Sequence, residues 1–175
     1  MSGQTEQFPM MVQWLYCRKK LPLFDYCQIV RQSDMHDLKR RIAAYCARGE
    51  HPEREIRLKL ERWQLSGDQT AEILSQLRDL KLIDDSRYCR HMTEKCLYEK
   101  KWGRERIRIL LLDNGIAEEL ITKALAAIPE EEYLAIMEQA AGMGKDPASC
   151  YRRLVRRGFE EEIVNSWLRK NCFLE

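Results

Sequence analysis

Ile56-Arg57-Leu58-Lys59-Leu60-Glu61-Arg62-Trp63-Gln64-Leu65 is a stretch that comes back. It aligns without a gap on Ile107-Arg108-Ile109-Leu110-Leu111-Leu112-Asp113-Asn114-Gly115-Ile116, and more weakly on Cys150-Tyr151-Arg152-Arg153-Leu154-Val155-Arg156-Arg157-Gly158-Phe159. Each copy is an amphipathic helix that stops at or near Gly and restarts after one apolar residue. The copies begin 51 and 43 residues apart, inside or near the spacing of helical repeat arrays. A unit of this size cannot bury its own apolar face, so neighbouring units must stack. The repeat predicts an all-α, modular, elongated protein that offers a long surface to a partner.

Each copy is the middle helix of a three-helix unit. Before the first copy, Ser33 or Asp34 is an N-cap candidate for a helix running to about Ala47. Gly49 and Pro52 separate that helix from the next, and Ser66-Gly67-Asp68 is a turn whose Asp68, or Thr70, can cap a third helix from Ala71 to Leu80. The cycle then restarts at Asp84-Asp85-Ser86, with a long helix to about Lys101, a second from Arg104 to Asn114 and a third from Glu118 to Ile128. The last cycle reads Glu130 to Ala141, Pro147 to Arg157 and Glu161 to Leu168. The third helices align as well, with Ile73, Leu120 and Ile163 in one register position and Leu74, Ile121 and Val164 in the next. Nothing reads as a strand. The expected organisation is an extension over residues 1–32 and three-helix repeats over 33–83, 84–129 and 130–175.

Composition fits this reading. Hydrophobic residues make up 45% and charged residues 33% of the 175, with a net charge of only +2. Global charge therefore does not imply nucleic-acid binding, but its distribution is uneven. Positive residues dominate Lys39–Arg62 and Arg87–Arg108, and Ala117–Glu138 is acidic. No run of about 18 apolar residues exists, and the start has the wrong charge order for a secretory signal, so a cytoplasmic, membrane-free protein is expected. The 7 cysteines are scattered without a C-x-x-C pair, which suits small reduced thiols and offers no zinc site. No cofactor or metal is expected.

Candidate chemistry is sparse. Asp84-Asp85 at a helix start reads as a cap with a favourable first-turn charge rather than a catalytic pair. His36, His51 and His91 lie in polar stretches with no nucleophile at a recognisable spacing. Gly142-x-Gly144-Lys145 lacks the P-loop spacing. Trp63 and Trp167 fall on apolar stripes, whereas Trp102, in Lys100-Lys101-Trp102-Gly103-Arg104, is a candidate contact residue. No constellation supports an enzyme.

The chain resembles the RecX family, regulators of the RecA recombinase. The resemblance is carried by Glu55-Ile56-Arg57-Leu58-Lys59-Leu60, Leu82-Ile83-Asp84-Asp85-Ser86-Arg87-Tyr88, Lys101-Trp102-Gly103-Arg104, Gly115-Ile116 and Arg156-Arg157-Gly158-Phe159. It covers the chain from about Leu38 onward. Gln64 stands where the family usually has Gly, Leu110 where Lys is common and Cys89 where Ala is frequent. The resemblance implies a curved array of three-helix modules that binds the RecA-type filament on single-stranded DNA, follows its groove and suppresses recombinase activity in DNA repair and recombination; the end-to-end stacking of the repeats predicts a monomer.

The basic residues are the binding candidates. Arg57 and Arg108 are equivalent in the repeat. Arg87, Arg90, Lys95, Lys100, Lys101 and Arg104 line the longest helix and its exit. Arg152, Arg153, Arg156 and Arg157 cluster in the last unit. Any single one of them can instead belong to a solvated face, as Arg57 with Glu61 at i+4. A helix-turn-helix transcription regulator is the rival reading. It would need a dedicated recognition helix and usually a dimer, and three copies with divergent surfaces argue against it.

Overall fold

The computed structural model describes residues 23–142 and 146–171, with side chains from residue 35 onward. All regular elements among the described residues are helices: α1 (Leu23–Cys46), α2 (Glu53–Arg62), α3 (Gly67–Asp79), α4 (Asp85–Glu94) continued by a π-helical turn (Lys95–Glu99), α5 (Arg104–Asp113), α6 (Glu118–Ala126), α7 (Glu130–Ala141), α8 (Pro147–Arg156) and α9 (Glu161–Asn171). The chain divides into two compact units between Gly49 and Glu50.

The first unit holds α1, with Ile42 and Cys46 buried. This helix runs through Ser33 and Asp34, so neither is the cap that the sequence suggests. No Gly or Pro interrupts Leu23–Cys46, and without a breaker the helix continues upstream. Residues 1–22 of the expected extension lie outside the described residues.

In the second unit, α2 packs on α3; α4, α5 and α6 pack on one another; and α8 lies between α7 and α9. The repeat register holds at the level of single side chains. Leu60, Leu111 and Leu154, equivalent in the three copies, are all fully buried. So are Leu74, Ile121 and Val164, equivalent in the third helices. Each such side chain contributes about 1.5–3 kcal/mol through burial. The buried residues of α4 to α9 form one continuous cluster, from Tyr88 to Leu168. Trp102 and Trp167 pack half-buried at its edge.

Helix starts follow capping chemistry, with one change from the sequence expectation. Ser66, not Asp68 or Thr70, caps α3. Its hydroxyl accepts from Gln69 N at 3.3 Å while Gln69 Oε1 accepts from Ser66 N at 3.0 Å, a reciprocal capping box. Thr70 lies buried inside the helix. Asp146 caps α8 by accepting from Ala148 N and Ser149 N, with Pro147 in the first turn. The expected single helix from Asp84 to about Lys101 widens at Lys95–Glu99. That turn shifts the inward face so that two successive residues, Cys96 and Leu97, are both buried.

Candidate functional site

The middle helices of the second unit meet end to end. α5 starts at Gly103, which has no capping side chain, so its first amides need partners from elsewhere. Gly103 N donates to the Arg157 carbonyl at 2.9 Å and Glu105 N to the Gly158 carbonyl at 3.1 Å. Between them, Arg104 N donates to the Tyr133 hydroxyl at 3.0 Å. The C-terminal carbonyls of α8 thus satisfy the N-terminal amides of α5, and the two helix dipoles align head to tail. The approach requires glycine. A Cβ on Gly103 would lie 2.1 Å from the Gly158 carbonyl oxygen, and Gly158, at φ +83°, faces the Arg106 backbone.

A looser contact of the same kind occurs one module earlier, held by a side chain instead of backbone amides. Gly115, at φ +78°, sits against the Arg54 side chain in the first turn of α2. The Arg54 guanidinium donates to the Asp113 carbonyl, as Arg106 donates to the Arg156 carbonyl at 3.3 Å. Asp113 and Arg156 each stand two residues before their glycine, so each junction seats an arginine on the matching carbonyl, although Arg54 aligns with Glu105 rather than with Arg106 in the repeat. α2, α5 and α8 therefore form one column. The first copy has Gln64 at the glycine position, with φ 59°. Its side chain is exposed, so a Cβ is tolerated there.

Around the α5–α8 junction lies a polar cluster that the sequence motifs do not announce. Tyr133 is fully buried, and its hydroxyl donates to Glu160. Burial first, and the Glu160 carboxylate second, push its phenol far above the usual tyrosine range. The Arg104 guanidinium stacks on the Tyr133 ring at 3.9 Å and pairs with Glu130 at 2.9 Å and Glu160 at 3.6 Å. Phe159 packs on the same ring at 5.3 Å between centroids. The hint in the sequence is the pair of Gly-containing motifs around Gly103 and Gly158, which this junction brings together.

Asp84 and Asp85 are caps for two different helices. Asp84 accepts from Arg87 N at 3.0 Å and starts α4. Asp85 reaches across to accept from Glu53 N at 2.8 Å, at the start of α2. Burial raises the Asp85 pKa above the ordinary carboxylate value. Arg87 pairs with Glu50 at 2.7 Å and donates to the Lys81 carbonyl at 3.1 Å. Tyr88 is buried in the core. The Ile83-to-Tyr88 motif is thus an adhesive between helices.

The candidate basic residues separate into two sets. Arg87, Arg104, Arg153 and Arg157 hold the fold. Arg153 donates to the Ala141 carbonyl at 2.7 Å, and Arg157 donates to the Lys100 carbonyl at 2.9 Å. Arg104 is only 19% exposed. The others face outward. Arg57 is exposed and pairs with Glu53 at 2.9 Å, one turn back, rather than with Glu61; Glu53 also holds Arg78. Arg108 pairs with Glu118 at 2.6 Å. Lys100 stacks over Trp102 at 4.6 Å, with Arg106 over the same ring at 4.0 Å. Arg90, Lys95, Arg152 and Arg156 are exposed, and Lys101 is half-buried. None of these five is ion-paired among the described residues. Trp102 is already flanked by two cations of its own chain.

Among the described residues no group of acidic, histidine or cysteine side chains could hold a metal ion, and no helix is long and apolar enough to cross a membrane. Cys46, Cys89, Cys96 and Cys150 are buried, and burial pushes the thiols of Cys89 and Cys96 up.

Residues 84–125, which are α4 to α6, match the family model for the second three-helix domain of RecX. Regulatory protein RecX of Levilactobacillus brevis is 24% identical over 151 residues, covering 81% of this chain and 57% of that protein. The chain is similar in sequence to RecX proteins. Regulatory protein RecX of Leuconostoc citreum is 28% identical over 124 residues, covering 70% of this chain and 45% of that protein. The chain thus spans about half the length of these two RecX relatives. The crystal structure of RecX from Lactobacillus salivarius superposes with a TM-score of 0.70 at 19% identity, over 79% of this chain and 97% of that one. The helical fold is shared with it.

Proposed function

We propose that this protein is a non-enzymatic regulator that binds RecA-type recombinase filaments on single-stranded DNA and lowers recombinase activity in the cytoplasm. The observation that carries the reading is the RecX match over α4 to α6, together with the glycine junctions that join α5 to its neighbours. A column of repeated modules places contact surfaces at regular intervals, which suits a partner whose subunits also repeat. Many weak contacts then act together, because each contact made raises the effective concentration of the next. Arg90, Lys95, Lys100, Lys101, Arg152 and Arg156 are the basic side chains available to meet phosphates or acidic groups. Arg57 and Arg108 can join them by exchanging their own glutamates. The test is recombinase-driven strand exchange with increasing amounts of the full chain. Inhibition supports the reading. Unchanged exchange at saturating protein would refute it.

A further inference from the structure

Three of the large apolar side chains left exposed fall on one face of the column. Leu58 on α2 is 45% exposed, Ile109 on α5 is 58% exposed and Leu112 is 43% exposed. Leu58 and Ile109 occupy the same position in the repeat, and Leu112 lies one turn beyond Ile109 on the same face. The face continues across the junction. Arg54, one turn before Leu58, donates to the carbonyl of Asp113, one turn after Ile109. In the third copy the equivalent residue is Arg152, with Arg156 one turn further on, both exposed. A recurring exposed apolar position on adjoining helices is not explained by the core, which uses the opposite stripe, Ile56, Leu60, Ile107 and Leu111.

Two arginines beside the apolar part are already ion-paired. Arg57 pairs with Glu53 and Arg108 with Glu118. That favours a protein surface over a run of phosphates, which would call for free cations along the whole length. We infer that this face is the protein-docking ridge of the molecule: Leu58, Ile109 and Leu112 enter apolar patches on successive subunits of a repeating protein partner, and Arg152 and Arg156 meet carboxylates on the same partner. The inference rests on the filament-binding reading and assigns that binding to one face. It makes the ridge a protein interface and leaves nucleic-acid contacts to the basic side chains outside it.

The experiment uses the full chain and co-sedimentation with recombinase filaments on single-stranded DNA. Leu58→Gln with Ile109→Gln preserves helix propensity and removes the apolar contacts. Leu80→Gln is the control, since Leu80 is 67% exposed but lies at the end of α3, off the ridge. Leu58→Met with Ile109→Leu keeps the apolar character. The ridge double variant should bind filaments at least about tenfold more weakly, with helical signal and affinity for a bare oligonucleotide unchanged. The control and the conservative pair should bind like the parent. Filament binding by the Gln pair within twofold of a binding parent overturns the ridge while leaving the regulator reading intact. An equal loss of oligonucleotide affinity would mark the face as a nucleic-acid surface and also overturns it. A parent that forms a dimer which the Gln pair dissolves would assign the ridge to self-association instead. A parent that binds no filament overturns both readings.

Discussion

Gly103 and Gly158 touch backbone to backbone, and neither position has room for a Cβ. Through this approach the carbonyl end of α8 closes the amide end of α5. Gly103→Ala should therefore destabilise the chain by about 3 kcal/mol, at the upper end of overpacking costs. Gly158→Ala adds left-handed backbone strain of roughly 1–2 kcal/mol to a similar clash. Denaturant titration of each variant measures the effect. A midpoint equal to the parent's for either one would show that the junction does not hold in solution.

Gln64 offers the opposite sign at an equivalent position. Its φ of 59° is left-handed and its side chain is exposed. Gln64→Gly relieves strain of about 1–2 kcal/mol and gives back about 0.5–1 kcal/mol to the freer unfolded chain. A net gain of roughly 0.5 kcal/mol is expected by the same titration. Destabilisation would mean that the Gln64 side chain makes a contact of its own.

Asp85 and Arg104 should behave as structural residues. Asp85→Ala removes the cap on Glu53 N and should cost about 1–2 kcal/mol. Arg104→Glu places a third carboxylate beside Glu130 and Glu160 and should lower the melting temperature markedly, whereas Lys100→Glu and Lys101→Glu should not. The two lysine reversals should instead weaken binding to single-stranded DNA. Each phosphate that a reversal leaves unneutralised should reduce the slope of log affinity against log salt by about 0.7. An unchanged slope would make that stretch a solvated face.

Tyr133 predicts a pH dependence. Its folded pKa is raised by burial and by Glu160, while the unfolded chain ionises near pH ~10. A raised folded value means that the contribution is fully present below about pH 10 and declines as pH rises further, by about 1.4 kcal/mol per unit. The stability difference between the parent and Tyr133→Phe should therefore be constant from about pH 7 to 9 and shrink above about 10. A difference that stays flat to about pH 11 would contradict the buried, neutral phenol.

The helices and the repeat register are legible in the sequence because apolar spacing is local. Leu60, Leu111 and Leu154 are recognisable as equivalents, and all are buried. The same spacing does not reveal that Asp85 caps a helix 32 residues upstream, or that Arg104 stacks on a tyrosine. Those interactions join elements distant in the chain, and no periodicity encodes them. Arginines on a surface stripe look alike in sequence. Only the fold separates Arg87, Arg104, Arg153 and Arg157, which tie carbonyls and carboxylates, from Arg152 and Arg156, which face outward. The start of α1 is misleading in sequence because Ser33-Asp34 has the chemistry of a cap while nothing nearby interrupts the helix.

In the proposed function, stacked modules recognise a repeating filament rather than a single subunit. The most direct measurement compares the dissociation constant of the full chain for recombinase filaments on single-stranded DNA with that for monomeric recombinase and for bare single-stranded DNA, at one salt concentration. Filament binding should be tighter than either by about a hundredfold or more, as linked contacts on successive subunits require. Equal affinity for the monomer and the filament, or for bare DNA and the filament, would contradict it.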